Sequence, residues 1–185
     1  MSNLPSVIEL GPADEAERLW VGSLEAREAA DDDFPALCEA LELGLRAVEI
    51  LAIHRLMEVR DRFPATIQAQ LETPAPDVDL VRDAVHAPNC LDFVAVLDLL
   101  SEGDLECVSP GMHRGWEDRR FACRRSRETA REAVGVTLEG DQREQLLVLA
   151  AYRNRVFRSP PPLRLVPLEI LGAFGSLDRF KESLG

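Results

Sequence analysis

The sequence predicts an all-α fold, a bundle of about six to eight helices around a long central helix. Apolar residues recur at three- and four-residue spacing along most of the chain, which is typical of amphipathic helices. No alternating pattern typical of a strand occurs, except over residues 5–10. Because 185 residues suit one domain, we expect a tail over residues 1–11 and a single helical domain over residues 12–185.

The first helix is predicted to run from Pro12 to about Ala30. A proline followed by carboxylates, here Asp14 and Glu15, is typical of a first helical turn. Its apolar residues on the buried side are expected to be Ala16, Leu19, Trp20 and Leu24. The acidic run at residues 31–33 then ends this helix, and we expect Asp33 to cap the next one.

The second helix carries the strongest pattern, a continuous apolar stripe formed by Leu37, Leu41, Leu45, Val48, Ala52, Leu56, Val59 and Phe63. A second stripe lies beside it and consists of Leu43, Ala47, Ile50, His54 and Met57. A helix with two apolar stripes packs against neighbours on two sides, so this helix is expected to be central. Pro64 should end or restart it.

The remaining chain is predicted to form shorter helices, separated by prolines and glycines. Thr73–Pro76 and the three prolines at 160–162 should act as connectors, because proline cannot donate the backbone hydrogen bond that a helix requires. The expected helices cover residues 77–86, 88–100, 116–134, 141–157, 165–174 and 177–184.

Charge is unevenly distributed along the chain. The overall net charge is −12, but residues 1–110 carry 23 acidic and 7 basic residues, whereas residues 111–185 carry 10 acidic and 14 basic ones. An acidic chain is a poor generic ligand for nucleic acid or an anionic membrane, both of which attract positive charge. This exclusion applies to the acidic part only.

Four arginines of the basic part, Arg120, Arg124, Arg127 and Arg131, follow one another at helical spacing and should line one helix face. Guanidinium groups in a row match phosphate or carboxylate geometry, which favours an anion site for RNA, a nucleotide phosphate or an acidic partner. The alternative is that these arginines pair with the acidic part of the same chain or are simply solvated.

The helix over residues 141–157 places Arg153 on its apolar face, with Asn154 and Arg158 on the adjacent stripe. A charged group on an apolar face needs a partner, inside the chain, in a groove or at a subunit interface. The segment from Leu149 to Arg158 resembles the C-terminal motif of HEPN domains, all-α bundles with Arg-Asn on a late helix and a histidine several residues on.

This resemblance implies a metal-independent ribonuclease site between two subunits, in which the arginine steadies the phosphate and the histidine moves protons. The chain departs from that pattern, because Arg158 occupies the histidine position and no histidine follows His113. An arginine stays protonated and cannot shuttle protons. The resemblance therefore implies a non-catalytic relative that binds RNA or another protein.

The sequence carries no clear motif for metal binding or catalysis. Cys38, Cys90, Cys107 and Cys123 form no CxxC pair, which favours free, buried thiols and no zinc site. Glu49, His54 and Glu58 lie within three turns of the second helix, but no second ligand cluster is visible. No nucleotide-binding or nucleophile motif occurs. We expect no metal or other cofactor and no catalytic set.

The absence of a secretory signal or a long apolar run predicts a cytoplasmic protein without membrane association. Lys181 is the single lysine among 21 lysine and arginine residues, and such a preference for arginine is typical of GC-rich bacterial genomes. The leading functional hypothesis is an interaction or adaptor module that binds a protein partner, or itself as a homodimer, through complementary charged faces. The alternative is a degenerate HEPN-type protein that binds RNA.

Overall fold

A computed structural model of the chain describes residues 11–30, 33–72, 93–102, 124–138, 140–158 and 167–185. The helices in these ranges are α1 (Pro12–Ala29), α2 (Phe34–Met57), α3 (Ala65–Glu72), α4 (Phe93–Leu100), α5 (Arg124–Val134), α6 (Gly140–Arg158) and α7 (Pro167–Leu184). The described residues contain no strand, only an isolated parallel bridge between Ser101 and Leu138. The predicted all-α fold is confirmed.

Helix α2 occupies the centre of the bundle, as its two apolar stripes predict. It contacts α1, α3, α4, α5, α6 and α7. The first stripe is buried along the helix, whereas on the second stripe Ala47 is buried, Leu43, Ile50 and Met57 are half-buried and His54 is exposed. The α2 residues with no exposed surface are Ala40, Leu41, Leu45, Ala47, Val48, Ala52 and Leu56. The hydrophobic core that surrounds them includes residues of every described helix.

The most extensive contact between two helices is that of α1 with α2, and it depends on small residues. Ser23 is fully buried and its hydroxyl donates a 2.7 Å hydrogen bond to the carbonyl oxygen of Ala40. A Cβ atom on Gly44 would lie 2.7 Å from Ser23 Oγ, so only glycine permits this separation. The expected inner face of α1 is correct for Ala16, Leu19 and Trp20 but wrong for Leu24, which is 42% exposed.

The exposure of Leu24 follows from the position of Ser23. Ser23 lies one residue earlier and points into the contact with α2, because its hydroxyl finds the Ala40 acceptor there. A buried hydroxyl is tolerated when it is hydrogen-bonded. Leu24 is rotated by about 100° from it and therefore lies towards solvent.

Both ends of α2 depart from the sequence expectation, one in its position and the other in its capping. The apolar stripe of α2 extends to Phe63, but the α-helix ends at Met57 and a short 3₁₀ turn at Arg60–Arg62 leads to Phe63. Phe63 is still buried, so the predicted core position is correct although the helix is shorter. Asp33 lies at the N-cap position of α2, yet its side chain makes no capping hydrogen bond.

The end of the chain forms one helix, α7, instead of two. Glycine and serine at positions 175 and 176 suggested a break, but Gly175 does not have a positive φ angle. Ser176 is buried. Its hydroxyl donates a hydrogen bond to Gln145 Oε1 at 2.5 Å and accepts one from Arg179 Nη2 at 2.7 Å. These bonds stabilise a continuous helix at that point.

The expected helix over residues 77–86 lies outside the described residues.

None of the described helices is both long enough and apolar enough to span a bilayer.

Candidate functional site

The predicted arginine face is only partly within the described residues. Arg120 lies outside them, and Arg124 begins α5 but its side chain is not described. Arg127 and Arg131 both bind α4. Arg127 Nη2 lies 2.9 Å from Asp98 Oδ1, and Arg127 Nε donates to the backbone carbonyl of Asp98 at 3.3 Å. Arg131 Nη1 donates to the carbonyl of Ser101 at 2.7 Å.

These two arginines act as caps for the C-terminal end of α4. The last carbonyl groups of a helix have no partner within it, and they form the negative end of the helix dipole. Asp98 and Ser101 supply such carbonyls, and guanidinium groups satisfy both of them. Of the two interpretations of the arginine row, the contacts of Arg127 and Arg131 correspond to pairing within the chain.

Arg153 lies inside the bundle, between α6, α2 and α4. It is 8% exposed, and its Nη1 atom is 3.5 Å from Glu49 Oε2. Glu49 is 5% exposed and also accepts from Arg46 Nη1 at 3.0 Å. The Arg153 guanidinium carbon lies 5.7 Å from the ring centre of Phe93, within the range of a cation–π contact.

The arrangement gives Arg153 a structural partner of opposite charge within its own chain. A buried charge is costly unless it is paired, and Glu49 supplies the pairing. Asn154 and Arg158 continue the same helix, but their side chains are outside the described set. Whether they lie next to Arg153 in a binding cleft therefore remains a prediction.

The possible metal cluster on α2 is not brought together. Glu49 binds arginines in the interior, His54 is exposed, and Glu58 lies beside Arg55 on the outside at 3.9 Å. Within the described ranges, no group of three or more histidine, cysteine or carboxylate side chains could hold a metal ion.

Cys38 is half-buried, and burial raises the pKa of its thiol.

A second buried arginine, Arg27 on α1, was not anticipated from the sequence. Its guanidinium carbon lies 4.0 Å from the ring centre of Phe174 and 5.1 Å from that of Trp20. Arg27 Nη1 contacts Asp178 Oδ1 at 2.5 Å, while Nε and Nη2 are buried and have no hydrogen-bond partner in the described part of the chain. The seven-residue separation of Trp20 and Arg27 indicates a shared helix face, but the contact with Phe174 leaves no local signal.

The outer surface around α1 and the start of α2 is acidic. We use the term acidic surface for five exposed carboxylates that make no ion pair with other described residues: Asp14, Glu25, Glu28, Asp33 and Glu39. The neighbouring Glu15 is different, because Arg18 binds it at 2.7 Å. The hydrogen bond from Arg18 lowers the pKa of the Glu15 carboxyl, and burial opposes that shift.

Two apolar side chains lie among these acids. Val21 is 45% exposed and Leu24 is 42% exposed, both on the outward side of α1. Two other large apolar side chains are exposed in the described part, Phe34 at 45% and Leu168 at 79%. The α1 pair is set apart by the carboxylates on both sides of it along the helix.

Comparison with known proteins finds no matching family model, curated protein or solved structure.

Proposed function

We propose that this chain is a non-catalytic interaction module that binds a basic protein partner through its acidic surface. The observation that carries the proposal is a difference in pairing between arginines and carboxylates. Arginine side chains from four helices bind acceptors within the chain, and these arginines are Arg27, Arg46, Arg127, Arg131 and Arg153. The carboxylates of the acidic surface pair with no cation among the residues that the structure describes.

The physical consequence is an attractive field for cations on one side of the bundle. Unpaired carboxylates on adjacent helices add their potentials, and this speeds association with a positively charged partner. The same charges disfavour nucleic acid, whose phosphates they repel. Electrostatic attraction of this kind decreases as salt increases, because counterions screen exposed charges.

Charge reversal of the acidic surface tests this proposal. The variant carries Glu25→Lys, Glu28→Lys and Glu39→Lys, and a matched control carries Glu58→Lys, Glu144→Lys and Glu182→Lys at exposed sites outside the acidic surface. Each protein is used to isolate partners from the native host, and any partner is then purified and its affinity measured. We expect a basic partner that binds the wild type and the control but not the variant.

A partner that binds the charge-reversed variant as tightly as the wild type would contradict the proposal. So would a partner whose binding does not depend on salt concentration. Light scattering on the purified chain tests the homodimer version at the same time. A dimer that persists in the charge-reversed variant would show that self-association uses another surface.

The RNA-directed alternative depends on Arg153, Asn154 and Arg158. To bind phosphate, Arg153 would have to leave both Glu49 and the ring of Phe93. The alternative therefore predicts that Arg153→Ala abolishes RNA binding and that RNA protects the α6 amides from hydrogen exchange. Fluorescence anisotropy with a labelled single-stranded RNA measures this binding. If the wild-type chain does not bind the RNA, the RNA-directed alternative is ruled out.

A further inference from the structure

We propose that the outward face of α1 is the docking site for a basic amphipathic helix of the partner protein. This inference rests on the proposed function and makes it specific, because it names the place and the kind of segment that binds there. We call this face the α1 strip, and it consists of Asp14, Glu17, Val21, Leu24, Glu25 and Glu28.

The α1 strip is continuous because of helical periodicity. With 3.6 residues per turn, its six side chains fall within about a third of the helix circumference. The buried residues Ala16, Leu19, Trp20 and Ser23 lie on the opposite side, which packs against α2. The strip is therefore the side of α1 directed away from the bundle.

The α1 strip is charged at both ends and apolar in the middle. Asp14 and Glu17 lie at one end, Glu25 and Glu28 at the other, and the exposed pair Val21 and Leu24 lies between them. The strip spans about 21 Å from Asp14 to Glu28 at 1.5 Å per residue. A complementary helix would present apolar side chains in the middle and lysine or arginine near both ends, a recurrent mode of helix recognition.

The nearby cations of the chain are already engaged and leave most of the acids of the strip without a partner. Arg18 binds Glu15 at 2.7 Å, and Arg27 binds Asp178. Lys181 lies 3.3 Å from Glu17, which is the one acid of the strip with a cation close to it. Asp14, Glu25 and Glu28 make no ion pair with any residue in the described ranges.

Contacts on the inner side of α1 fix this helix to its neighbours, which reduces the entropic cost of binding. Ser23, on that inner side, is hydrogen-bonded to the Ala40 carbonyl. Arg27 lies between the rings of Trp20 and Phe174 and so joins α1 to α7. Docking on the strip requires no rearrangement of these contacts.

A second copy of the chain is a poorer occupant on the described surface. The arginine-rich helix α5 uses Arg127 and Arg131 to bind α4. Its outward side carries Arg125 together with Glu128 and Glu132, so it is not a basic strip. Among the surfaces that the structure describes, none is a basic strip that would fit, so we assign the strip to a basic helix from a different protein.

The test uses a defined probe, a fluorescein-labelled 18-residue helical peptide of leucine and lysine with one apolar face. A scrambled peptide of the same composition, with no apolar face, is the matched probe for simple charge attraction. Affinities are measured by fluorescence anisotropy at two salt concentrations. We expect the amphipathic peptide to bind the wild-type chain at least tenfold more tightly than the scrambled one.

Two double variants separate the apolar and the charged parts of the strip. Val21→Ser with Leu24→Ser should weaken peptide binding about tenfold without changing its salt dependence. Glu25→Gln with Glu28→Gln should weaken binding several-fold and reduce the salt dependence. The matched controls are Leu168→Ser, at a more exposed leucine, and Glu144→Gln with Glu182→Gln. Each control should change the affinity less than twofold.

All substituted side chains are exposed, so the variants should remain folded, which circular dichroism and thermal unfolding would confirm. Equal affinity for the two peptides overturns the docking inference, and so does full binding by the Val21 and Leu24 variant. A failure of the peptide to bind the wild type also overturns it. In each case the proposed function is decided separately, by the charge-reversal experiment with the purified partner.

Discussion

Arg27 and Asp178 form a 2.5 Å ion pair that joins α1 to α7. The pair is uneven, because the Arg27 side chain is 14% exposed and that of Asp178 is 43% exposed. The arginine is further held between Trp20 and Phe174. Two nitrogens of the Arg27 guanidinium lack a hydrogen-bond partner among the described residues, and Asp178 accepts from the third. The aromatic neighbours are therefore the main stabilisation of this side chain.

Replacement of Arg27 by alanine should therefore cost more than replacement of Asp178 by asparagine. We expect Arg27→Ala to lower the free energy of unfolding by about 2–4 kcal/mol, because stacking and a charged hydrogen bond are both lost. Asp178→Asn should cost about 1 kcal/mol or less, since a half-exposed acceptor contributes little. Urea denaturation measures both. Equal losses would show that the ion pair, and not the stacking, holds Arg27.

Alanine at Gly44 should destabilise the protein even though alanine favours helices. The new Cβ would lie 2.7 Å from Ser23 Oγ and 3.0 Å from Leu177 Cδ2, so α1 or α7 would have to move. We expect a loss of about 1–3 kcal/mol, typical of overpacking. Gly172→Ala in α7 is the matched control, because its Cβ would meet no atom within 4 Å. It should gain up to about 1 kcal/mol. A stabilised Gly44→Ala protein would contradict the close approach.

The buried pair of Arg153 and Glu49 should show strong non-additivity. Glu49→Leu leaves the Arg153 charge in the interior without its carboxylate, which should cost about 3 kcal/mol. Arg153→Met removes the other charge. The double variant should be more stable than the Glu49→Leu single variant, because no unpaired charge remains in that contact. Denaturant unfolding of the three variants gives the coupling energy, and additive losses would show that the two side chains do not interact.

Glu15 should contribute a small stabilisation that disappears in acid. Its pKa is lowered in the folded state by Arg18 from the ordinary value of 4.5. A lowered folded-state pKa means that the contribution is full above the unfolded-state pKa and is lost as the pH falls through the folded-state pKa. The side chain is one-third exposed, so solvent screens the pair and we expect about 0.3–0.5 kcal/mol at neutral pH.

The measurement compares Glu15→Gln with the wild type at pH 7 and at pH 3. The difference in unfolding free energy should be present at pH 7 and absent at pH 3. Arg18→Gln is the control, because it removes the partner and should make the effect of Glu15→Gln independent of pH. A difference that increases towards low pH would reverse the sign and contradict the assignment.

The sequence was sufficient for the features that depend on local spacing. The central position of α2 followed from two apolar stripes, because a helix that is apolar on two sides must be covered on both. The start of α1 at Pro12 followed from proline and carboxylates in the first turn. Both features involve residues within a few turns of one another.

Other features depended on which helices meet, and periodicity does not contain that information. The spacing of Arg127 and Arg131 placed them on one face of a helix, but only the position of α4 determines that this face binds Asp98 and Ser101. The stacking of Arg27 on Phe174 likewise depends on the docking of α7 against α1. Apolar periodicity favours Leu24 for the core and carries no signal for Ser23, whose hydroxyl has a buried acceptor.

The contacts of α2 with six other helices also determine how its backbone amides exchange with solvent deuterium. To expose the amides in the middle of α2, several neighbouring helices must separate from it together, so partial opening is not available to them. Their exchange should follow the global unfolding equilibrium, whereas amides of the outlying α3 exchange through smaller openings. The slowest amides of α2 would thus report the stability of the whole bundle without denaturant.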